Sequence, residues 1–259
     1  MEKVMLNYSL DDYVSYSYRE NAVSSGGAEL PVNVYAPRIE NAFNGTAVVC
    51  IHGGAWTSSL KTGEEWQGSW MRHHASILAS LGYYAFEITH RSIETTSIGG
   101  VISDVEMAFK TIKNNLMPRH GIEKMYAIGD SAGGHLALMS AIFEDKAIRP
   151  EKVIACNPVS DLTEEKWQLG KTTEAERREA SPLYRTDKTD TEIFILHGES
   201  DKTVPIEFSY KLKAHLDGIG NKCVFEALPE ASHAFILYGY KTPTEKVNEY
   251  MGKVLTYLD

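Results

Sequence analysis

The chain has 259 residues, of which 43% are hydrophobic and 24% charged, a composition typical of a globular protein with a large core. Its formal net charge of −9 argues against a nucleic-acid partner, because nucleic-acid binding needs a basic surface. The first residues lack the apolar stretch of a secretory signal and no run reaches the ~18 apolar residues that span a bilayer, so we expect a cytoplasmic protein without a membrane partner, with a removed signal peptide left open.

Short strand-like runs alternate with helical patterns along the chain. Two N-terminal runs, 14–19 and 30–35, predict a hairpin. Apolar and β-branched runs predict further strands at 46–51, 83–88, 125–128, 152–156 and 192–196, with an edge strand at 222–227. Apolar residues at helical spacing predict helices at 70–81, 102–116, 205–216 and 242–258. The alternation predicts a single α/β domain over residues 1–259, with a mostly parallel central sheet and helices on both faces.

The segment 161–190 interrupts this alternation with a polar stretch rich in charge. We interpret it as a small helical cap insertion over the mouth of the functional site, because loops at the carboxyl edge of such sheets carry ligand contacts. The alternative is a solvated surface helix. The exposure of Trp167 distinguishes the two interpretations.

A serine between glycines follows the strand predicted at 125–128, in Gly129-Asp130-Ser131-Ala132-Gly133, and a helical pattern begins at His135. This arrangement is typical of a nucleophile elbow, in which a tight turn from strand to helix exposes the serine oxygen. The glycines are needed because a Cβ at either position collides with the neighbouring strand or helix. The motif therefore predicts acyl transfer with Ser131 as the nucleophile.

An acid and a histidine follow Ser131 in the order that this chemistry requires. Asp201 lies in the loop after the strand 192–196, and His233 lies in the loop after the strand 222–227. Because the carboxyl ends of parallel strands meet at one edge, we expect Ser131, Asp201 and His233 to converge there. His233 is the predicted general base, and Asp201 orients its ring. Glu199 is the competing acid, and Asp201 is preferred because it lies just before the next helix.

Glycines also follow the strand 46–51, in the run His52-Gly53-Gly54-Ala55-Trp56. Glycines let backbone N–H groups point at one spot without side-chain clash. The N–H groups of Gly53, Gly54 or Ala55, together with that of Ala132, are the predicted oxyanion hole. His52 and His197 are interpreted as structural.

These motifs resemble those of the α/β-hydrolase superfamily, and within it the esterases and lipases with an HGG-type oxyanion loop and a G-D-S-A-G-G elbow. The resemblance covers residues 32–258. It implies a hydrolase of carboxylic esters with no metal and no cofactor. Compact members of that group include acetyl xylan and feruloyl esterases, and kynurenine formamidases have a similar loop.

The function predicted from these observations is a serine carboxylesterase that works through a Ser-His-Asp triad and an acyl-enzyme. The expected partner is a small-molecule ester, an acetylated or hydroxycinnamoylated carbohydrate, and a homo-oligomer is left open. Trp56 and Trp167 are the predicted substrate-binding residues, with Trp66 and Trp70 as further aromatic residues near the rim. The alternatives are an amide hydrolase, such as a formamidase or small peptidase, and a binding protein that keeps the fold without activity.

Overall fold

The computed structural model describes residues 5–24, 26–38, 43–57, 68–185 and 187–258. Within these ranges eight strands form one sheet, in the order β1-β2-β4-β3-β5-β6-β7-β8. They are β1 (Tyr18–Val23), β2 (Glu29–Tyr35), β3 (Thr46–Ile51), β4 (Tyr84–Ile88), β5 (Lys124–Asp130), β6 (Lys152–Cys156), β7 (Glu192–Gly198) and β8 (Cys223–Leu228). β2 pairs antiparallel with β1 and β4, and every other pair is parallel. The prediction of a mostly parallel sheet is confirmed.

Helices cover both faces of the sheet. The described helices are α1 (Arg72–Ser80), α2 (Ile98–Thr111), α3 (Met117–His120), α4 (Ala132–Ser140), α5 (Glu174–Glu179), α6 (Glu207–Gly218) and α7 (Thr244–Leu258). Apolar side chains of α1 and α7 pack on one face, and those of α2, α4 and α6 pack on the other. Because both faces are covered, every residue of β3 is buried, which explains its continuous apolar run.

The predicted hairpin is confirmed, because β1 and β2 pair antiparallel, but the bounds predicted for its first strand, 14–19, are wrong: β1 begins only at Tyr18. β1 is an edge strand with the sequence YRENAV, and its polar side chains give no apolar alternation to mark it. The predicted helix at 102–116 also starts too late. α2 begins at Ile98, where the Ser97 hydroxyl accepts a hydrogen bond from the N–H of Gly100 and caps the helix.

The segment 161–190 contains α5 and a short 3₁₀ turn, Pro182–Tyr184. Its first part is fixed by hydrogen bonds to backbone carbonyls: the Trp167 indole N–H donates to Asp161 over 2.8 Å, and the Arg177 guanidinium donates to Trp167 over 3.1 Å. Trp167 is half-buried against the cavity described below. The division of the chain into one domain with a cap insertion stays a prediction.

The carboxyl ends of β3, β5, β7 and β8 lie at the same edge of the sheet. The register places Ile51 beside Gly129, at the ends of β3 and β5, and Gly198 beside Leu228, at the ends of β7 and β8. The loops that follow these four strands therefore come together at one place. All the site residues predicted from the sequence except Trp167 lie on these loops or at the start of α4.

Candidate active site

Ser131 occupies a strained turn between β5 and α4, with φ of 55° and ψ of −119°. Such a positive φ costs a residue with a Cβ roughly 1–2 kcal/mol, so it persists only where the surroundings enforce it. Here the Ser131 N–H donates to the Cys156 carbonyl over 2.8 Å. A Cβ on Gly129 would lie 2.2 Å from the Gly133 oxygen, and one on Gly133 would lie 2.2 Å from the Ile51 oxygen. The glycines predicted for an elbow are thus required by close backbone contact.

The structure brings Ser131, His233 and Asp201 into one hydrogen-bonded chain. The Ser131 Oγ lies 2.9 Å from His233 Nε2, and His233 Nδ1 lies 2.6 Å from Asp201 Oδ2. Because a carboxylate can only accept, Nδ1 carries the ring proton and Nε2 is left to accept the serine proton. This is the order of contacts that activates a serine hydroxyl.

Asp201 is held from several directions. Its Oδ1 accepts the backbone N–H groups of Thr203 and Val204 over 2.8 and 2.9 Å. The Nε2 atom of His197 lies 3.4 Å from Asp201 Oδ2 and also donates a hydrogen bond to the Val204 carbonyl. Burial raises the pKa of Asp201, but the hydrogen bonds from His197 and His233 outweigh it and hold the pKa well below its ordinary value. Asp201 is therefore an anion, whereas the competing acid Glu199 is exposed to solvent.

Charge also acts on His233. Burial lowers the pKa of His233, but the hydrogen bond to Asp201 and the negative charges of Asp130 and Asp201 together raise it above the ordinary histidine value. Asp130 is buried beside the nucleophile, and its Oδ1 has no hydrogen-bond partner in the described residues. Burial raises the pKa of Asp130 to about 7. The imidazolium form of His233 is thus stabilised by two carboxylates.

The loop after β3 lies against the elbow. A Cβ on Gly53 would meet the Asp130 carbonyl oxygen at 2.7 Å, so the two turns touch through their backbones. Gly54 and Ala55 have φ values of 103° and 52°, and the N–H of Thr57 closes the turn on the Gly54 carbonyl over 3.0 Å. Gly53, Gly54, Ala55 and Ala132 all border the same cavity as Ser131.

His52 braces this loop. Its Nδ1 donates to the Gly53 carbonyl over 2.7 Å, and its Nε2 accepts from the Thr89 hydroxyl over 3.1 Å. The ring stacks on His90 with 4.8 Å between centroids. Burial lowers the pKa of His52, and burial lowers the pKa of His90 to about 3, so both rings are neutral packing groups near pH 7.

A cavity of about 560 Å³ opens above Ser131. Trp167 borders it and packs edge-on against Trp56, with 6.1 Å between ring centroids. Trp56 is only 1% exposed, and its indole N–H donates to His135 over 3.0 Å, so this N–H is not available to a ligand. Trp70 and Tyr240 border the cavity and are about half exposed, with 5.7 Å between their ring centroids. Trp66 lies outside the described residues.

Two side chains that shape the site were not assigned a role there from the sequence. Asp130 was part of the elbow motif, but only the fold shows that its carboxyl is buried beside His233. Glu87 lies inside an apolar strand and contacts the cavity wall at Ser69. A carboxylate in a run that is otherwise buried is the signal that could have found Glu87.

The described residues hold no group of three or more side chains arranged to bind a metal ion. Their helices include none with both the length and the apolar character needed to cross a membrane.

Comparison with known proteins gives one family match. The sequence model of the BD-FAE family matches residues 32–166, which is more than half of the chain. Two curated relatives come from Mycobacterium tuberculosis. The chain is 28% identical to "Probable carboxylic ester hydrolase LipM" over 225 residues and 26% identical to "Esterase LipQ" over 260 residues. These alignments cover 75% and 88% of this chain but only 51% and 60% of the relatives.

Solved structures with the same fold include esterase 2 from the planctomycete Thermogutta terrifontis. It superposes with a TM-score of 0.74 at 21% sequence identity, over 93% of this chain and 90% of that one. Other structures of that esterase have butyrate bound or are phosphorylated by paraoxon. The similarity confirms the α/β-hydrolase fold that the sequence motifs predicted.

Proposed function

This chain belongs to the BD-FAE family, and from that premise we propose that it is a serine carboxylic ester hydrolase acting on small acyl esters. The observation that carries the proposal is the contact chain Ser131–His233–Asp201, with distances of 2.9 and 2.6 Å, at the base of an open cavity. The two ester hydrolases among its relatives support the same reaction class.

The reaction begins when Ser131 Oγ attacks the carbonyl carbon of the ester and His233 Nε2 takes the serine proton. Asp201 stabilises the imidazolium that forms. The carbonyl oxygen becomes an oxyanion. We propose that the N–H of Ala132 and N–H groups of the 53–55 loop donate hydrogen bonds to it. Each such donor is typically worth about 3–4 kcal/mol of barrier lowering.

His233 then gives the proton to the alcohol oxygen, the carbon–oxygen bond of the ester breaks, and the acyl group stays on Ser131. A water molecule attacks the acyl carbon next, and His233 accepts one of its protons. Collapse of the second tetrahedral intermediate returns that proton to Ser131 Oγ and releases the carboxylic acid. His233 Nε2 thus acts twice as a base and twice as an acid, while Nδ1 keeps its hydrogen bond to Asp201 throughout.

We assign the substrate class to esters of carbohydrates with acetyl or hydroxycinnamoyl groups. The half-exposed rings of Trp70 and Tyr240 at the cavity mouth support this assignment, because aromatic faces pack well against sugar and aryl rings. The cavity volume of about 560 Å³ suits a small acyl group. Butyrate in the esterase from Thermogutta terrifontis is consistent with short acyl groups on this fold.

A substrate panel tests the proposal. Purified protein is assayed with p-nitrophenyl acetate, butyrate and octanoate, an acetylated xylo-oligosaccharide, methyl ferulate, N-formylkynurenine and an aminoacyl anilide. We expect turnover of the short and aromatic esters. Ser131→Ala should lower kcat by a factor on the order of 10⁴–10⁶, and Ser80→Ala, at the exposed end of α1, is the matched control.

Labelling with paraoxon locates the nucleophile independently of the substrate. Peptide mass spectrometry should find the diethylphosphoryl group on Ser131 and none on the Ser131→Ala protein. Turnover of amides alone would identify an amide hydrolase instead. No labelling and no turnover would favour a binding protein, and a label on another serine would contradict the assignment of Ser131.

A further inference from the structure

Glu87 is a buried carboxylate that the proposed mechanism does not use. It lies in β4, between β2 and β3, and is fully inaccessible to solvent. One oxygen, Oε1, accepts the backbone N–H of Ser69 over 2.5 Å and the Ser69 hydroxyl over 2.7 Å. The other, Oε2, accepts the Asn33 amide over 3.1 Å and the Tyr35 hydroxyl over 3.4 Å.

This carboxylate is satisfied by neutral donors. None of the lysines or arginines that the structure describes forms an ion pair with Glu87. Burial raises the pKa of Glu87, and the four hydrogen bonds, which come from two segments of the chain, β2 and Ser69, oppose that rise. All four contacts present a donor to a carboxyl oxygen, so they fix the orientation of Glu87 and of its partners, and they are strongest when the carboxyl is ionised. Glu87 therefore anchors Ser69.

Ser69 in turn anchors the cavity wall, which we define as Gly68, Ser69, Trp70, Met71 and Arg72, all of which border the cavity of Ser131. The Ser69 hydroxyl accepts the N–H of Met71 over 3.1 Å, and the Ser69 carbonyl accepts the N–H of Arg72 at the start of α1. Gly68 has a φ of +108°, and a Cβ there would lie 2.9 Å from Glu87 Oε2. Gly68 and Ser69 of the cavity wall thus pack directly against this one carboxylate.

We propose that Glu87 is a positioning residue that fixes the cavity wall and, through Trp70, determines how well esters with a large alcohol or acyl group bind. The inference rests on the proposed ester hydrolysis for its kinetic consequence. Glu87 acts through Ser69 and touches no reacting atom. Esters that fill only the space around Ser131 are insensitive to it, whereas esters that reach Trp70 depend on it.

Glu87→Gln tests this, because the amide keeps the volume but presents an NH₂ group to two of the four donors. The matched control is Glu226→Gln, a strand glutamate of β8 that bonds to Tyr257 and Lys253 away from the cavity. We expect KM for an aryl ester that reaches Trp70 to rise about tenfold, which corresponds to about 1.4 kcal/mol of binding free energy, because Trp70 is no longer held in place. KM for p-nitrophenyl acetate should change much less, and kcat for each ester should fall less than KM rises.

A second readout needs no activity. Hydrogen exchange at the Ser69 amide should be at least tenfold faster in Glu87→Gln than in the wild type and in Glu226→Gln. Should Glu87→Gln fail to fold, Ser69→Ala removes one of the four bonds and is expected to change KM for the large ester in the same direction. In the double variant, Ser69→Ala should raise KM for the large ester little beyond the value of Glu87→Gln alone, because both substitutions disrupt the same contact.

Equal changes of KM for small and large esters, or exchange at Ser69 that matches the wild type, would overturn the inference. A wild-type protein without ester turnover contradicts the proposed function, and the exchange measurement then still decides whether Glu87 holds the wall.

Discussion

The charges around His233 determine the pH at which Ser131 can be activated. His233 must be neutral to accept the serine proton, so activity falls as pH drops through its pKa. Because Asp201 and Asp130 raise this pKa despite burial, we expect the acid limb of kcat/KM to have its midpoint above the ordinary histidine value of about 6.5. Steady-state kinetics from pH 5 to 9 with a short acyl ester measures it.

Asp130→Asn isolates the second carboxylate. Removing its charge takes away one of the causes that raise the pKa of His233, so the acid limb should move to lower pH. The acid limb of the variant should also follow the titration of a single group, because Asp130 has a pKa of about 7 and titrates together with His233 in the wild type. Glu199→Gln, at an exposed carboxylate, should leave the midpoint in place. An unchanged midpoint in Asp130→Asn would show that the charge of Asp130 does not raise the pKa of His233.

Ser131, Asp201 and His233 could be singled out from the sequence because each lies in the turn or loop after a strand that local composition reveals. Parallel topology then brings strand ends together without further information. Glu87 is different. Its four hydrogen bonds come from Asn33, Tyr35 and Ser69, which are 54, 52 and 18 residues away along the chain, and no local pattern links them.

At the level of secondary structure, the elbow depends on how closely α4 approaches β3. Gly133 lies in the first turn of α4, where an added Cβ would sit 2.2 Å from the Ile51 carbonyl oxygen. The backbone of Ile51 cannot easily shift away from an added Cβ, because β3 is paired with β4 on one side and β5 on the other. We expect Gly133→Ala to lower the free energy of unfolding by about 1–3 kcal/mol and to impair Ser131 phosphorylation by paraoxon.

The control for Gly133→Ala is Gly218→Ala. Gly218 ends α6, and an added Cβ there meets no atom within 4 Å. Alanine favours helix over glycine, so this variant should be as stable as the wild type or slightly more stable. Urea unfolding of both variants gives the comparison. A Gly133→Ala protein with wild-type stability and labelling would show that the turn tolerates a larger separation of α4 and β3.

Buried strands were easier to predict than the periphery for a physical reason. β3 and β6 are covered on both faces, so burial selects apolar residues at every position after the first, and the predicted bounds are those observed. β1 lies at the edge, where Arg19, Glu20 and Asn21 satisfy the same backbone geometry without burying an apolar face. The start of α2 was not predicted because its first turn contains two glycines, which disfavour a helix, and only the capping serine indicates it.

Across the whole molecule, the buried histidines predict a loss of stability in acid. Burial lowers the pKa of four of them to about 3 or 4, below the value of about 6.5 in an unfolded chain: His73, His74, His90 and His135. Between those values the unfolded chain binds protons that the folded chain excludes, so stability falls as pH falls. Asp130 acts in the opposite sense, because its raised pKa of about 7 favours the protonated folded state as pH drops toward 4.

Each unit of pKa difference is worth about 1.4 kcal/mol per group, and a domain is typically stable by only about 5–15 kcal/mol. The raised pKa values of Glu87 and His233 act in the same sense as that of Asp130, but the four histidines with lowered pKa values outnumber these three groups. We therefore expect cooperative unfolding between about pH 5 and 3.5, followed by circular dichroism at constant temperature. His74→Leu removes one titrating group from the buried face of α1 and should move the midpoint to lower pH, provided that stability at pH 8 is matched with a small amount of urea. A free energy of unfolding that stays level from pH 7 to 4 would mean that these rings accept protons within the folded protein.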